Sequence, residues 1–109
     1  MSIRIKNIFS DIPQELSNEH FETIFRNENI KLERIISDGH ISPGEKWYDQ
    51  DFDEWVLVLS GKAILSFENK TKDIILNPGD YIMIKAHEKH RVKYTDLGEK
   101  TIWLTLHIK

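Results

Sequence analysis

Five histidines are the residues of this 109-residue chain best suited to metal binding or proton transfer. Glu54 and His90 are both good ligands for a divalent transition metal, because a carboxylate oxygen and an imidazole nitrogen are available at neutral pH. Either side chain could instead act as a general base without a metal. The chain contains no cysteine, which excludes disulfides, thiolate zinc sites and a cysteine nucleophile.

Two further histidines are candidates for the second imidazole that an iron site of two histidines and one carboxylate needs. His107 lies in an alternating segment, where it shares one face with Trp103 and Thr105. His87 lies three residues before His90, in what we predict to be the same turn. Both also have structural interpretations, as a hydrogen-bonded strand histidine for His107 and as a surface turn residue for His87.

The two remaining histidines and one run of acidic residues give weaker indications of function. His40 follows a turn signal and is predicted at a loop or strand edge, and nothing in the sequence around His20 indicates a functional role. Asp49, Asp51 and Asp53 alternate like the ligands of a calcium loop, but the central glycine and the bidentate glutamate of such a loop are missing. We therefore predict that this run is a solvated turn.

Composition narrows the class of protein. Lys and Arg number 15 and Asp and Glu number 18, so the net charge is −3, and no basic run suggests nucleic-acid binding. Apolar residues at 39% and charged residues at 30% are ordinary for one globular domain. The N-terminus lacks the apolar run of a signal peptide, and Trp55–Leu59 is far too short to span a bilayer, so we expect a cytoplasmic protein.

The first thirty residues differ in pattern from the rest of the chain. Phe21, Ile24 and Phe25 fall at positions i, i+3 and i+4, which is the spacing of one apolar helical face. This spacing predicts a short amphipathic helix near residues 19–27 that packs on a larger structure.

From residue 30 the apolar period changes to two. Gly- and Pro-containing turns separate short runs that are rich in β-branched and aromatic residues. We predict strands near Ile30–Ile36, Trp55–Leu59, Ala63–Phe67, Ile74–Leu76, Tyr81–Ile84, Val92–Tyr94 and Thr101–Ile108. Short strands at regular spacing indicate a sandwich or a barrel.

Two spaced motifs resemble those of a known family. Six residues of a predicted strand separate Glu54 from Gly61, and Pro78-Gly79-Asp80 precedes a later strand whose following turn ends at His90. These resemble the two signature motifs of the cupin superfamily. The resemblance implies an all-β fold, the cupin double-stranded β-helix or jelly-roll barrel, here with the short N-terminal helix.

The resemblance also implies how the chain is organised. We expect a single cupin domain over residues 1–109, with an N-terminal arm at 1–30 that carries the helix and a β-barrel at 31–109. The run Trp47-Tyr48-Asp49-Gln50 is similar to that of a subgroup of small bacterial cupins whose function is mostly unassigned.

Carrying the family's metal ligands onto this chain gives a depleted set. The two histidines of the first motif are replaced by Tyr48 and Gln50, whereas Glu54 and His90 keep the family's residue types. The resemblance thus implies Gln50, Glu54 and His90 as metal ligands for Fe, Mn, Zn or Ni. The phenol of Tyr48 binds a metal well only when it is deprotonated.

We expect the site to lie inside the barrel. Glu54 shares its strand face with Val56, and we assign that face to the interior, where Tyr48, Gln50, Trp103 and His107 are further candidate pocket residues. The opposite face of the same strand is apolar and needs a cover, which favours a homodimer.

Three interpretations of function stay open from the sequence. The first is a metal-dependent dioxygenase, isomerase or lyase that acts on a small polar metabolite, with Glu54 and His90 as catalytic residues. The second is a metal-free module that binds a small molecule in the same pocket. The third is a structural dimer in which Glu54 and His90 hydrogen-bond to each other in a vestigial pocket.

Overall fold

The computed structural model describes residues 3–109, and every regular element in that part of the chain is a β-strand. The strands are β1 (His20–Arg26), β2 (Ile30–Ser37), β3 (Asp53–Ser60), β4 (Ala63–Phe67), β5 (Ile74–Leu76), β6 (Tyr81–Ile84), β7 (His90–Thr95) and β8 (Thr101–Ile108). All the strand pairs are antiparallel. The all-β prediction is confirmed, as are the seven strands expected after residue 30.

Two sheets form the barrel. The larger has the strand order β1-β2-β8-β3-β6, and the smaller has the order β5-β4-β7. Side chains from both sheets fill the space between them, where they shield apolar surface from water. The buried core consists of Val56, Val58, Ala63, Leu65, Phe67, Leu76, Ile84 and Trp103.

Strand alternation decides which side chains of the larger sheet face the interior. Because β8 lies between β2 and β3, each of its inward residues has an inward neighbour on both sides. Thr105 pairs with Glu33 on β2 and with Val56 on β3, and the adjacent row holds His107 beside Glu54. The prediction that Glu54 and Val56 face inward is confirmed.

The predicted N-terminal helix is wrong. Residues 20–26 form β1, which pairs with β2 along its whole length. A register shift between Thr23 and Phe25 inserts one extra residue, so Phe21 pairs with Ile35 on the pocket side whereas Phe25 pairs with Leu32 on the opposite face, and the helical spacing does not correspond to one apolar face. A helix of nine residues is marginal in water, whereas the edge of β2 offers a ladder of hydrogen bonds. Phe21, Ile24 and Phe25 remain 48–56% exposed.

One buried arginine fixes the arm that precedes β1. Arg34, on the outer face of β2, donates to the backbone carbonyls of Ile8 at 3.1 Å and Ser10 at 2.6 Å. The same guanidinium pairs with the carboxylate of Glu22 on β1. The arm therefore lies against one end of the outer face of the larger sheet and leaves the other end uncovered.

Gly61 sets the tight turn between β3 and β4. It has a φ of +79°, and a Cβ atom there would lie 2.6 Å from the Cα of Thr101 on β8. Only glycine adopts this conformation without strain and allows this approach. The glycine of the first sequence motif thus joins β3, which carries Glu54, to the second sheet.

No helix in residues 3–109 is long and apolar enough to cross a membrane. The cytoplasmic location stays a prediction.

Candidate functional site: a polar pocket inside the barrel

A pocket of about 220 Å³ opens between the two sheets at one end of the core. Its wall combines an apolar floor with a set of carboxylates, imidazoles and hydroxyl groups. The lining residues are Glu19, Phe21, Glu33, Ile35, Tyr48, Gln50, Glu54, Val56, Leu65, Ile84, His90, Val92, Trp103, Thr105 and His107. An apolar cavity with a few convergent polar groups is the usual form of a small-molecule site.

Glu54 lies at the centre of the polar set. Its carboxylate is almost fully buried, and its Oε2 atom accepts a hydrogen bond from the Nε2 atom of His107 at 3.1 Å. The ring of His107 is held from the other side by Phe52, with ring centroids 4.6 Å apart. Because a carboxylate only accepts hydrogen bonds, His107 must carry its proton on Nε2. His107 therefore occupies the candidate pocket position expected from its strand face.

His90 faces the same carboxylate across a gap. Its Nδ1 atom lies 2.9 Å from the carbonyl oxygen of Glu88, to which it donates. Its Nε2 atom lies 3.9 Å from Oε1 of Glu54, beyond hydrogen-bond distance. The direct hydrogen bond that one interpretation assigns to Glu54 and His90 is therefore absent from this structure, and a gap separates the two side chains.

Tyr48 and Gln50 reach the pocket from the loop before β3. The backbone of Tyr48 pairs with that of His90, with N···O distances of 2.8 and 3.2 Å, and the two rings lie 5.9 Å apart. The backbone carbonyl of Gln50 accepts a hydrogen bond from the backbone N–H of His87 at 2.7 Å. Both residues line the pocket, so the structure brings them together with Glu54 as the sequence predicted.

A strained turn precedes His90. His87 has a φ of +65°, an angle that glycine adopts most easily. Its ring bonds to Asp49 at 2.8 Å and is exposed, so it is a surface turn residue and does not line the pocket. Asp53 holds the same turn, since its carboxylate accepts from the backbone N–H of Ala86 at 2.9 Å.

Asp53 has a perturbed ionisation as a result. The hydrogen bond from the Ala86 backbone lowers its pKa below the ordinary value, and Lys85, 3.5 Å away, acts in the same direction. The carboxylate is thus stabilised in its charged form. This interaction fixes the turn that carries His90.

Thr105 is the one buried side chain in residues 3–109 whose polar atom has no hydrogen-bond partner. It is 1% exposed and lines the pocket. Nearly all buried polar groups in folded proteins are hydrogen-bonded, so an unpartnered hydroxyl in a pocket wall is a group to which a ligand could bind.

Two carboxylates of the wall were missed by the sequence analysis. Glu33 is 6% exposed and pairs with Lys31 at 3.0 Å, and Glu19 accepts a hydrogen bond from Ser37. Ser37 in turn accepts from the indole of Trp103 at 3.1 Å. For Glu33, the available signal was that strand alternation places it on the same face of β2 as Ile35. For Glu19 there was no such signal, because it fell at the edge of the wrongly predicted helix.

The side chains as arranged do not fit a metal ion. Among residues 3–109, no group of three or more histidines and carboxylates is placed to hold one. The Nε2 atom of His107 donates a hydrogen bond to the Glu54 carboxylate, so it has no free lone pair for a metal at that position. Gln50 contributes only a neutral carbonyl oxygen, which is a weak ligand for a transition metal.

Comparison with known proteins places these features in a wider group. A family model described as a cupin domain matches residues 35–107. A crystal structure of a proposed mannose-6-phosphate isomerase from Ralstonia eutropha JMP134 is 41% identical, over 98% of this chain and 99% of that chain, with a TM-score of 0.94. The comparison with curated proteins found no match.

More distant structures share the fold alone. A cupin superfamily protein from Desulfitobacterium hafniense DCB-2 is 19% identical, over 89% of this chain and 83% of that chain, with a TM-score of 0.72. An RmlC-like cupin from Desulfovibrio desulfuricans is 14% identical, over 97% of both chains, also with a TM-score of 0.72.

Proposed function

This chain belongs to the cupin domain family, and on that premise we propose that its barrel pocket binds a small polar molecule. Glu54, His90 and Thr105 make the main contacts in this proposal. The observation that carries it is the unpartnered Thr105 hydroxyl, buried in the same pocket wall as the gap between Glu54 and His90.

The energetic argument supports a bound molecule. A buried polar group without a partner costs about 1–3 kcal/mol, and the Thr105 hydroxyl in this pocket is in that condition. A ligand with hydroxyl or amino groups placed between Glu54 and His90 would donate to both. The apolar floor of Val56, Leu65 and Trp103 would exclude water from the same contact.

A thermal-shift screen of small metabolites tests this function. Because a ligand that binds only the folded state raises apparent stability, a specific compound should raise the melting temperature in a dose-dependent way, with or without a chelator. The shift should be lost in Glu54→Gln and kept in the control Glu99→Gln, an exposed glutamate in the β7–β8 turn. Equal shifts in all three proteins would contradict binding in this pocket.

A divalent metal is a second candidate ligand, which would require the side chains to rearrange: His90 Nε2 lies 3.9 Å from Glu54 Oε1, and His90 Nδ1 donates to the Glu88 carbonyl. Donation of the other ring nitrogen to a backbone carbonyl is typical of metal-binding histidines. The set would be Gln50, Glu54 and His90, joined by His107 once that ring releases Glu54. Metal analysis of protein purified without chelator or nickel resin tests it, and equal, substoichiometric metal in the wild type and a Glu54→Ala/His90→Ala variant would exclude it.

A catalytic role belongs to the same proposal. With a metal, the family resemblance suggests a dioxygenase, isomerase or lyase, and without one, Glu54 or His90 could act as a general base. The name of the Ralstonia eutropha neighbour makes sugar phosphates compounds to include in the screen.

We also propose that the protein is a homodimer. The uncovered end of the outer face is a continuous apolar surface, which we call the outer apolar face. It consists of Phe25, Leu32, Trp55, Leu57, Tyr81, Met83, Leu104 and Leu106. Exposed patches of this kind mark protein interfaces, and light scattering that shows a monomer at micromolar concentration would contradict the proposal.

A further inference from the structure

The charges of the pocket wall point to the class of ligand. Three carboxylates line it, from Glu19, Glu33 and Glu54, and no lysine or arginine from residues 3–109 does so. Lys31 offsets part of this charge from the rim, since it pairs with Glu33 at 3.0 Å. The carboxylates that line the pocket therefore outnumber the lysine and arginine side chains at its wall and rim.

The hydrogen-bonding groups have the same bias. The Oε1 atom of Glu54 lies 3.9 Å from His90 Nε2, beyond hydrogen-bond distance, and the Thr105 hydroxyl in the same wall has no partner. The carboxylate of Glu33 belongs to the cross-strand neighbour of Thr105. A wall lined by three carboxylates, which only accept hydrogen bonds when they are ionised, is best satisfied by a ligand that is rich in donors.

We propose that the pocket selects a small organic ammonium, a hydroxylated primary amine, and rejects phosphate esters and carboxylates. This inference rests on the proposed function and adds the charge of its ligand. An ammonium supplies three donors and a positive charge, and its hydrogen bonds to carboxylates are stronger than neutral ones. A phosphate would place like charges together in a partly desolvated site, which opposes its binding.

Isothermal titration with probes that differ in charge tests the selection. The probes are 3-amino-1-propanol, 1,3-propanediol and 3-hydroxypropanoate, with glucose and glucose 6-phosphate as a larger pair. The amine should bind about tenfold or more tighter than the diol, and both anions should be the weakest of their series. In Glu33→Gln the amine should lose about tenfold in affinity, whereas the diol should change less than about twofold.

Two further variants keep the result interpretable. Glu19→Gln should also weaken the amine, and it provides an independent measurement where Glu33→Gln lowers the yield of folded protein. Glu99→Gln, outside the pocket, should bind all the probes like the wild type.

The outcomes separate this inference from the proposed function. Equal or tighter binding of the diol or the anions would overturn the charge selection and leave the pocket's binding function standing. If the protein binds none of the five probes and no compound in the metabolite screen, both the charge selection and the proposed binding function would be overturned. If the protein binds Mn²⁺ but no amine, the carboxylates of the pocket would serve a metal ion, and the ammonium proposal would be overturned.

Discussion

The barrel interior and the outer apolar face are built by the same strands, yet they distribute polarity in opposite ways. Inside, Glu33, Glu54 and Thr105 are polar and at most 8% exposed. Outside, Tyr81 and Met83 are apolar and 65% and 43% exposed. Each arrangement is costly for an isolated chain, since buried polar groups need partners and exposed apolar surface favours association.

This difference is the basis of the two kinds of binding that we propose for the two sides of one sheet, namely a small polar ligand in the interior and a second copy of the chain on the exterior. Within the interior itself, the polar end meets an apolar end formed by residues such as Val58 and Trp103. The apolar end supplies the stability that allows the polar end to keep unsatisfied groups.

The largest expected effect comes from the apolar part of the interior. Leu65→Ala removes a side chain that is 2% exposed, and the loss of burial together with the cavity should lower the free energy of unfolding by about 2–5 kcal/mol. Urea denaturation measures this. The control Ile75→Ala, on a neighbouring strand and 52% exposed, should change stability by less than about 0.5 kcal/mol. Equal losses would mean that the interior is not the main source of stability.

A charge on the outer apolar face should act on association. Leu57→Glu places a carboxylate in the centre of that face, so the dimer should weaken by about 30-fold or more. Sedimentation equilibrium measures the dissociation constant. Leu97→Glu, at a turn residue that is 78% exposed, should leave it unchanged. A dimer that resists Leu57→Glu would place the interface elsewhere.

Two threonines on β8 sharpen the contrast within the interior. Thr105→Val removes an unpartnered hydroxyl and should raise stability by about 1 kcal/mol while weakening ligand binding. Thr101→Val removes a hydroxyl bonded to the backbone of Lys62 at 3.2 Å and should lower stability by about 1 kcal/mol. Thermal denaturation without ligand measures both, and a destabilised Thr105→Val would show that its hydroxyl has a partner in the protein.

The smallest expected effect is on the stability of the fold at low pH. The pKa of Asp53 is lower in the folded state, so its stabilising contribution is present above the unfolded pKa near 3.8 and is lost as pH falls through the lower folded value. Wild-type stability should thus decline more steeply below about pH 4 than that of Asp53→Ala. Parallel acid titrations of the two proteins, followed by tryptophan fluorescence, would contradict this role for Asp53.

Much of the site could be predicted from local patterns. Strict alternation along β3 and β8 places Glu54 and His107 on one face, and motif spacing brings His90 to the same end of the barrel. These features depend on the period of a strand and on short turns, both of which are local in sequence.

The remainder depends on long-range pairing. Glu33 joins the wall because β2 pairs with β8, and Glu19 precedes β1, a strand on the edge of β2 whose apolar residues have the spacing of a helix. The lack of a partner for Thr105 depends on what the opposite sheet presents. The gap between Glu54 and His90 follows from two side-chain orientations that no sequence pattern specifies.

The most direct test is a crystal structure of the protein soaked with the compound that stabilises it most in the screen. Our account predicts ligand density inside the barrel, with donor groups within about 3.2 Å of the Thr105 hydroxyl and of Glu54 or His90. Density for that compound only outside the barrel, with the Thr105 hydroxyl bonded to a protein carbonyl, would contradict it.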